Sequence, residues 1–195
     1  VLTLYHSPQS RSSRIVWLLE ELGVPYTVEY VTVRRADGSG GPDPRNLHPD
    51  KKVPALVHDG RLVTESAAIC LYLTDAFPEP KLGPLPGDPQ RAAYLTWLFH
   101  YAGVAEPALT AKFKGTTETD PDDKRAFEQL ESRLRGALEA GPYLLGDAFS
   151  AADVLYASAF QWAPHLMPQG PPFAAYVGRI AERPALQRSY AKDAG

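Results

Sequence analysis

The chain of 195 residues is 44% hydrophobic and 22% charged, with 20 basic against 23 acidic side chains and a formal net charge of -3. That length can bury a substantial core in one or two domains, and the charge balance offers no basic field for nucleic acid. No run approaches the roughly 20 apolar residues of a membrane span. A single cysteine excludes an intrachain disulfide, and no basic stretch followed by an apolar one opens the sequence, so it reads as cytoplasmic.

Val1-Leu2-Thr3-Leu4-Tyr5 alternates apolar and β-prone residues and stops at His6-Ser7-Pro8, which predicts a strand feeding a loop. From Ser10 to Leu22 the residues Ile15, Val16, Leu18, Leu19 and Leu22 recur at helical spacing, with Ser10 or Ser12 as N-cap and Gly23 as the stop. A second strand is expected over Thr27-Val28-Glu29-Tyr30-Val31, then a polar, glycine-rich mobile loop from Arg34 to Asn46. Val53-Pro54-Ala55-Leu56-Val57, His58-Asp59-Gly60 and Leu62-Val63 read as a hairpin, and Ala67 to Phe77 as a helix. Five prolines between Pro78 and Pro89 cannot continue a helix or a central strand, which places a domain joint there. Beyond it the pattern is helical over Arg91 to Lys114, Pro121 to Ala140, Ser150 to Ala163 and Phe173 to Glu182. The expected organisation is an α/β domain over 1–77, a linker over 78–88 and an all-α domain over 89–195.

Two spots in the first domain carry a chemical signal. A proline entering a strand behind the β-branched Val53 suits a cis Val53-Pro54 bond that turns the Val53 amide and carbonyl outward, where a small peptide can pair as an added strand. At Glu65-Ser66 the free amides and positive end of the next helix favour a carboxylate, while the acidic side chain favours an ammonium. Together they fit a zwitterionic amino-acid head group. Taken singly, Pro54 also reads as a strand-edge proline and Thr64 to Ser66 as a helix cap.

Lys51-Lys52-Val53-Pro54-Ala55-Leu56 followed by Glu65-Ser66-Ala67-Ala68-Ile69 resembles the glutathione-binding half of cytosolic glutathione transferases. The resemblance extends over nearly the whole chain through Gly23-Val24-Pro25-Tyr26, the proline-rich linker and Gly146-Asp147-Ala148-Phe149-Ser150-Ala151-Ala152-Asp153. In the last of these, a reciprocal Ser150–Asp153 cap stands on its own physically, worth about 1 kcal/mol or somewhat more. The resemblance implies a thioredoxin-like domain that carries glutathione as co-substrate, joined to a helical domain lining the site of a second substrate. By the same resemblance Val53 pairs with the cysteinyl backbone of glutathione, Pro54 holds the cis turn, Glu65 and Ser66 hold the γ-glutamyl end, and Lys52 neutralises the glycyl carboxylate. A homodimer and a role in detoxification are further implications of the family.

A free thiol has a pKa of about 8.5, so the site must favour the thiolate. A hydroxyl at the N-terminus of the first helix does so by a charge-assisted hydrogen bond. Setting Arg14 on the arginine that many serine-type members carry in this helix puts Ser10 on their catalytic serine. Tyr5, at the end of the first strand, is the tyrosine-type rival, and Ser12, Ser13 or a backbone amide stay open. This loop has no cysteine, against a mixed-disulfide mechanism. Cys70 shares helical spacing with Leu73 and Phe77 and reads as a packing thiol. The histidines show no ligand spacing, and no metal site is visible.

The expected reaction is attack by the glutathione thiolate on a small hydrophobic electrophile, against an apolar pocket with Tyr101 and Trp162 as lining residues. A glutathione-dependent reductase or peroxidase, and a non-catalytic glutathione-binding regulatory protein, are the alternatives on the same scaffold.

Overall fold

The computed structural model of the protein describes residues 1–194. Contacts divide them into two compact units, Val1–Pro80 together with the segment from Arg183 onward, and Lys81–Glu182. The joint falls within the proline-rich run. The end of the chain departs from the sequence reading, which gave everything from 89 to 195 to the helical domain.

The first unit is a four-stranded sheet in the order β2-β1-β3-β4, formed by β1 (Leu2–His6), β2 (Thr27–Tyr30), β3 (Ala55–His58) and β4 (Arg61–Thr64). The pairs β1/β3 and β3/β4 are antiparallel, while β1 and β2 run parallel through helix α1 (Ser13–Leu22). Parallel neighbours need such a crossover, whereas Asp59-Gly60, both at positive φ, make the tight β3–β4 turn. Leu2, Leu4 and His6 of β1 are buried and alternate with half-buried Thr3 and Tyr5. The inward side chains share a core with Ile15, Trp17 and Leu18 of α1 and Ile69 and Leu73 of α2 (Ser66–Ala76). Each such burial contributes roughly 1.5–3 kcal/mol.

Helix α8 (Pro184–Asp193) completes this unit against α1, for an electrostatic reason. Arg183 grips the Glu21 carboxylate with Nε and Nη2 at 2.7 and 2.8 Å. Glu20 accepts from Arg188 Nε at 3.0 Å, Lys192 Nζ at 2.6 Å and the Tyr26 hydroxyl at 2.8 Å.

The second unit contains α3 (Arg91–His100), a π-helical turn over Tyr101–Ala105, α4 (Glu106–Lys114), α5 (Pro121–Ala140), α6 (Ala151–Trp162) and α7 (Pro171–Ala181). Its core holds Tyr94, Tyr101, Tyr156, Phe173 and Tyr176 with Leu130 and Leu134. The capping box forms at the start of α6, centred on the fully buried Asp153. That carboxylate accepts from the amides of Leu144 (3.0 Å) and Ser150 (2.9 Å) and from the hydroxyls of Ser150 and Tyr176 (both 3.1 Å). It thereby ties the loop before α6, the helix and α7 together.

Candidate active site

Strand register brings the sequence-predicted residues of the first unit together. Tyr5 pairs with Ala55, and Ala55 with Thr64. The chain leaving β1, the Val53-Pro54 step entering β3 and Glu65-Ser66 leaving β4 therefore meet at one end of the sheet. Two strand spacings separate β1 from β4, about 10 Å, which is the span of an extended tripeptide.

The Val53-Pro54 bond is cis, as expected. Pro54 is buried, Val53 is half-buried, and no described residue hydrogen-bonds the Val53 amide or carbonyl. Glu65 is exposed with φ 68° and ψ 122°. A residue with a Cβ occupies that region at a cost of roughly 1–3 kcal/mol, and such conformations concentrate at functional sites. The Glu65 carboxylate pairs with no described residue, and the half-buried Ser66 opens α2. Ile69 is the first amide of α2 to find a helical acceptor, the Glu65 carbonyl, so the amides before it stand at the positive end of the helix.

Helix α1 begins at Ser13, which puts Ser12 rather than Ser10 at the N-cap position of the two the sequence offered, and the serines before it bond to one another and to nearby backbone. Ser12 occupies the N-cap position without making a capping bond. Ser10 Oγ donates to the Ser7 carbonyl at 2.7 Å, accepts from the Ser12 amide at 3.2 Å and lies 2.8 Å from Ser12 Oγ. Arg35 fixes this loop from outside through Ser7 Oγ and the Pro8 carbonyl at 3.3 and 2.9 Å. Tyr5 alternates with the buried face of β1 that carries His6, and His6 is the residue that meets Ser12. The tyrosine thus stands on the face away from that serine cluster. Ser13 donates to the Asp193 carboxylate.

Lys52 is exposed, 3.9 Å from Asp50. It lines a cleft of about 560 Å³ with Arg34, Arg35, Lys51, Asp50, Val33, Ala36 and Pro42, so four cations face one carboxylate. The loop behind this cleft is pinned at its far end by Asn46, whose side chain donates to the Lys52 carbonyl at 2.9 Å and accepts from the His48 amide.

Among the remaining candidates, Tyr101 is 1% exposed and packs edge-on against Tyr156 at 5.0 Å, whereas Trp162 is 62% exposed beside Phe113 at 4.9 Å. Cys70 is buried in α2, and desolvation pushes its thiol up to about 12, which removes it as a nucleophile at neutral pH. No group of three or more potential metal ligands occurs among the described residues.

Sequence reasoning missed His6, Asp193 and Arg35. Only Pro184 at the head of α8, with Leu186 and Ser189 buried at helical spacing behind it, was there to find the helix that brings Asp193.

The model of the glutathione S-transferase N-terminal domain matches residues 7–76, and that of the C-terminal domain residues 124–188. The chain belongs to the glutathione S-transferase family. It is 29% identical over 192 residues to glutathione S-transferase GstA of Escherichia coli, covering 95% of this chain and 96% of that one. With glutathione S-transferase 3 of Schizosaccharomyces pombe it shares 45% identity over 174 residues, 78% of this chain and 70% of the relative. A glutathione transferase from Methylococcus capsulatus superposes with a TM-score of 0.80 at 28% identity, covering 100% of this chain and 99% of that one. A sphingomonad glutathione S-transferase complexed with glutathione gives 0.76 at 28% identity and 98% of both chains.

Proposed function

We infer that this glutathione transferase binds glutathione across the end of its sheet, holds the thiol as thiolate beside Ser10, and transfers it to a small hydrophobic electrophile. The observation that carries this reading is Glu65, held unpaired at positive φ at the head of α2, across two strands from the serine loop. An ammonium at Glu65 and a carboxylate on the Ser66 end of α2 place the γ-glutamyl group. The unpaired backbone of Val53 takes the cysteinyl residue as a short strand, and Lys52 meets the glycyl carboxylate at the edge of the basic cleft.

The cysteinyl sulfur then falls towards the loop ahead of α1. Ser10 has one hydroxyl proton, bonded to the Ser7 carbonyl. Turning it onto sulfur keeps the oxygen anchored by the Ser12 amide and gives the thiolate a charge-assisted donor near a helix N-terminus. A thiolate so held attacks the electrophilic carbon, the carbon–sulfur bond forms and the leaving group departs with the electron pair. Within the helical unit, exposed Trp162 with Phe113 offers an apolar surface suited to such electrophiles. Tyr101, buried, supports the core behind it. A homodimer in a reducing cytoplasm completes the proposal, the compartment supported by the free, buried Cys70.

The test is a panel with glutathione and an aryl halide, a hydroperoxide or a disulfide, on wild type and Ser10→Ala. Thioether formation that falls at least tenfold in Ser10→Ala supports the reading. Turnover of peroxide or disulfide alone assigns the reductase or peroxidase alternative, and binding without turnover assigns the regulatory one. Wild-type rates in Ser10→Ala move the activating role to another donor. Sedimentation of the purified protein reads the dimer.

A further inference from the structure

Beside Ser10 lie two buried polar side chains and a carboxylate that thiolate stabilisation by one hydroxyl does not use. His6 is fully buried at the end of β1. Its Nδ1 lies 2.8 Å from Ser12 Oγ, itself 2.8 Å from Ser10 Oγ. On the other side of the ring, Asp193 Oδ1 lies 3.3 Å from Nε2, a contact not aligned as a hydrogen bond and an ion pair only when the imidazole is protonated. The same Oδ1 accepts from the Gln9 amide at 3.2 Å and from the Ser13 hydroxyl. Burial works to raise the Asp193 carboxyl, but its donors outweigh burial and hold it below the ordinary carboxylate range. Hydrogen bonds thus join His6, Ser12 and Ser10, and α8 carries Asp193 from the far end of the sequence into contact with the free side of the His6 ring.

The carboxylate dictates the tautomer. Facing Asp193, Nε2 carries the hydrogen, which leaves a lone pair on Nδ1. The Ser12 hydroxyl then donates to Nδ1 in place of the Ser7 carbonyl 3.3 Å away, and its oxygen, which accepts from the Ser7 amide at 3.2 Å, has a second lone pair for Ser10.

We propose that His6, held by Asp193, accepts the proton of the glutathione thiol through Ser10 and Ser12. This rests on the reading of the site as a glutathione site with Ser10 at the sulfur. The S–H bond breaks as its proton forms an O–H bond on Ser10, the Ser10 proton passes to Ser12, and the Ser12 proton passes to His6 Nδ1. No electrons change hands. The step ends with a thiolate accepting from Ser10 and an imidazolium whose Nε2–H faces Asp193. Once the leaving group has departed, the proton returns to solvent and His6 is neutral again. Asp193 and Ser12 are positioning residues, since neither touches the substrate.

The other groups around His6 leave it this role. The Tyr30 ring of β2 packs edge-on at 5.6 Å, and its hydroxyl donates to the Lys192 carbonyl of α8. Arg35 reaches the loop at Ser7 and Pro8, and Arg14 is the buried cation of α1.

The experiment is the pH dependence of kcat/KM for glutathione, with an aryl halide as acceptor, in wild type, Asp193→Asn, Ser12→Ala and His6→Gln, beside calorimetric glutathione affinity. Asp193→Asn keeps the acceptor for Gln9 and Ser13 but removes the charge. It and Ser12→Ala are expected to bind glutathione within about threefold of wild type. Both should lose about tenfold in kcat/KM at pH 7, a shift of the ionisation limb by about one pH unit, and recover near pH 9, where the thiol ionises unaided. His6→Gln should shift the limb the same way, and if it fails to fold the other two decide. An unmoved limb, or an equal loss at every pH as from a merely structural role, overturns the relay while leaving the glutathione site standing. Failure of the wild type to bind glutathione overturns both.

Discussion

Glu65→Gly should make the protein more stable and less able to bind glutathione. In the wild type a residue with a Cβ sits at φ 68° and ψ 122°, at a cost of roughly 1–3 kcal/mol. Glycine removes the part of that cost due to Cβ and returns about 0.5–1 kcal/mol through the greater freedom of its unfolded chain. The expected net gain is about 1 kcal/mol. Urea unfolding reads it as a midpoint raised by roughly 0.5 M at an ordinary slope. The lost carboxylate should cost one hydrogen bond to a charged ammonium, roughly 1.5–3 kcal/mol, and therefore about a 10- to 100-fold weaker glutathione affinity. Glu65→Gln separates the two effects, keeping the backbone cost and the stability while losing affinity. A Glu65→Gly protein destabilised by more than 1 kcal/mol, or binding glutathione as tightly as wild type, would refute the idea that this backbone is held at a cost for the ligand.

Three further outcomes follow from the packing. Asp153→Ala leaves the Leu144 and Ser150 amides without an acceptor and should cost about 3 kcal/mol in chemical denaturation at pH 7. Burial raises the folded Asp153 carboxyl to about 6, above its unfolded value near 4. The native state therefore binds the extra proton between those values, so wild type should gain stability relative to Asp153→Ala as pH falls from 7 to 4.5 and lose it as pH rises; no difference in slope would show that the donors fully offset burial. Cys70 should resist thiol reagents until the protein unfolds, and Cys70→Ala should keep glutathione transfer; rapid native labelling would contradict its buried place in α2. Arg183→Ala strips the two-pronged grip on Glu21 and should cost about 2 kcal/mol, with faster amide exchange in α8 read by mass spectrometry; unchanged exchange would show that apolar packing alone holds that helix.

The parts of the site legible in the sequence are those whose chemistry is local. The alternation in β1, the Asp59-Gly60 turn, the cis proline behind Val53 and the Glu65-Ser66 helix start each depend on neighbours within a few residues, and register then assembles them. The start of α1 stayed open between Ser10 and Ser12 because serines at 10, 12 and 13 suit a helix cap and a local hydrogen-bonded turn equally well, and the structure has Ser12 at the cap position. Helix α8 escaped because its attachment is long-range: Arg183 meets Glu21 and Lys192 meets Glu20 across more than half the chain. Helical spacing gives Tyr101 and Trp162 the same aromatic signature, although one is core and the other exposed. His6 looked like the end of a strand until Ser12 and Asp193 arrived on either side of its ring.

The central claim, that this sheet end binds glutathione and holds it as thiolate, is tested most directly by ultraviolet titration of the glutathione thiolate in the binary complex with wild-type protein. The account predicts a saturable thiolate signal whose apparent pKa lies at least one unit below that of the free thiol. A bound thiol titrating like free glutathione, or no saturable signal at all, would contradict it.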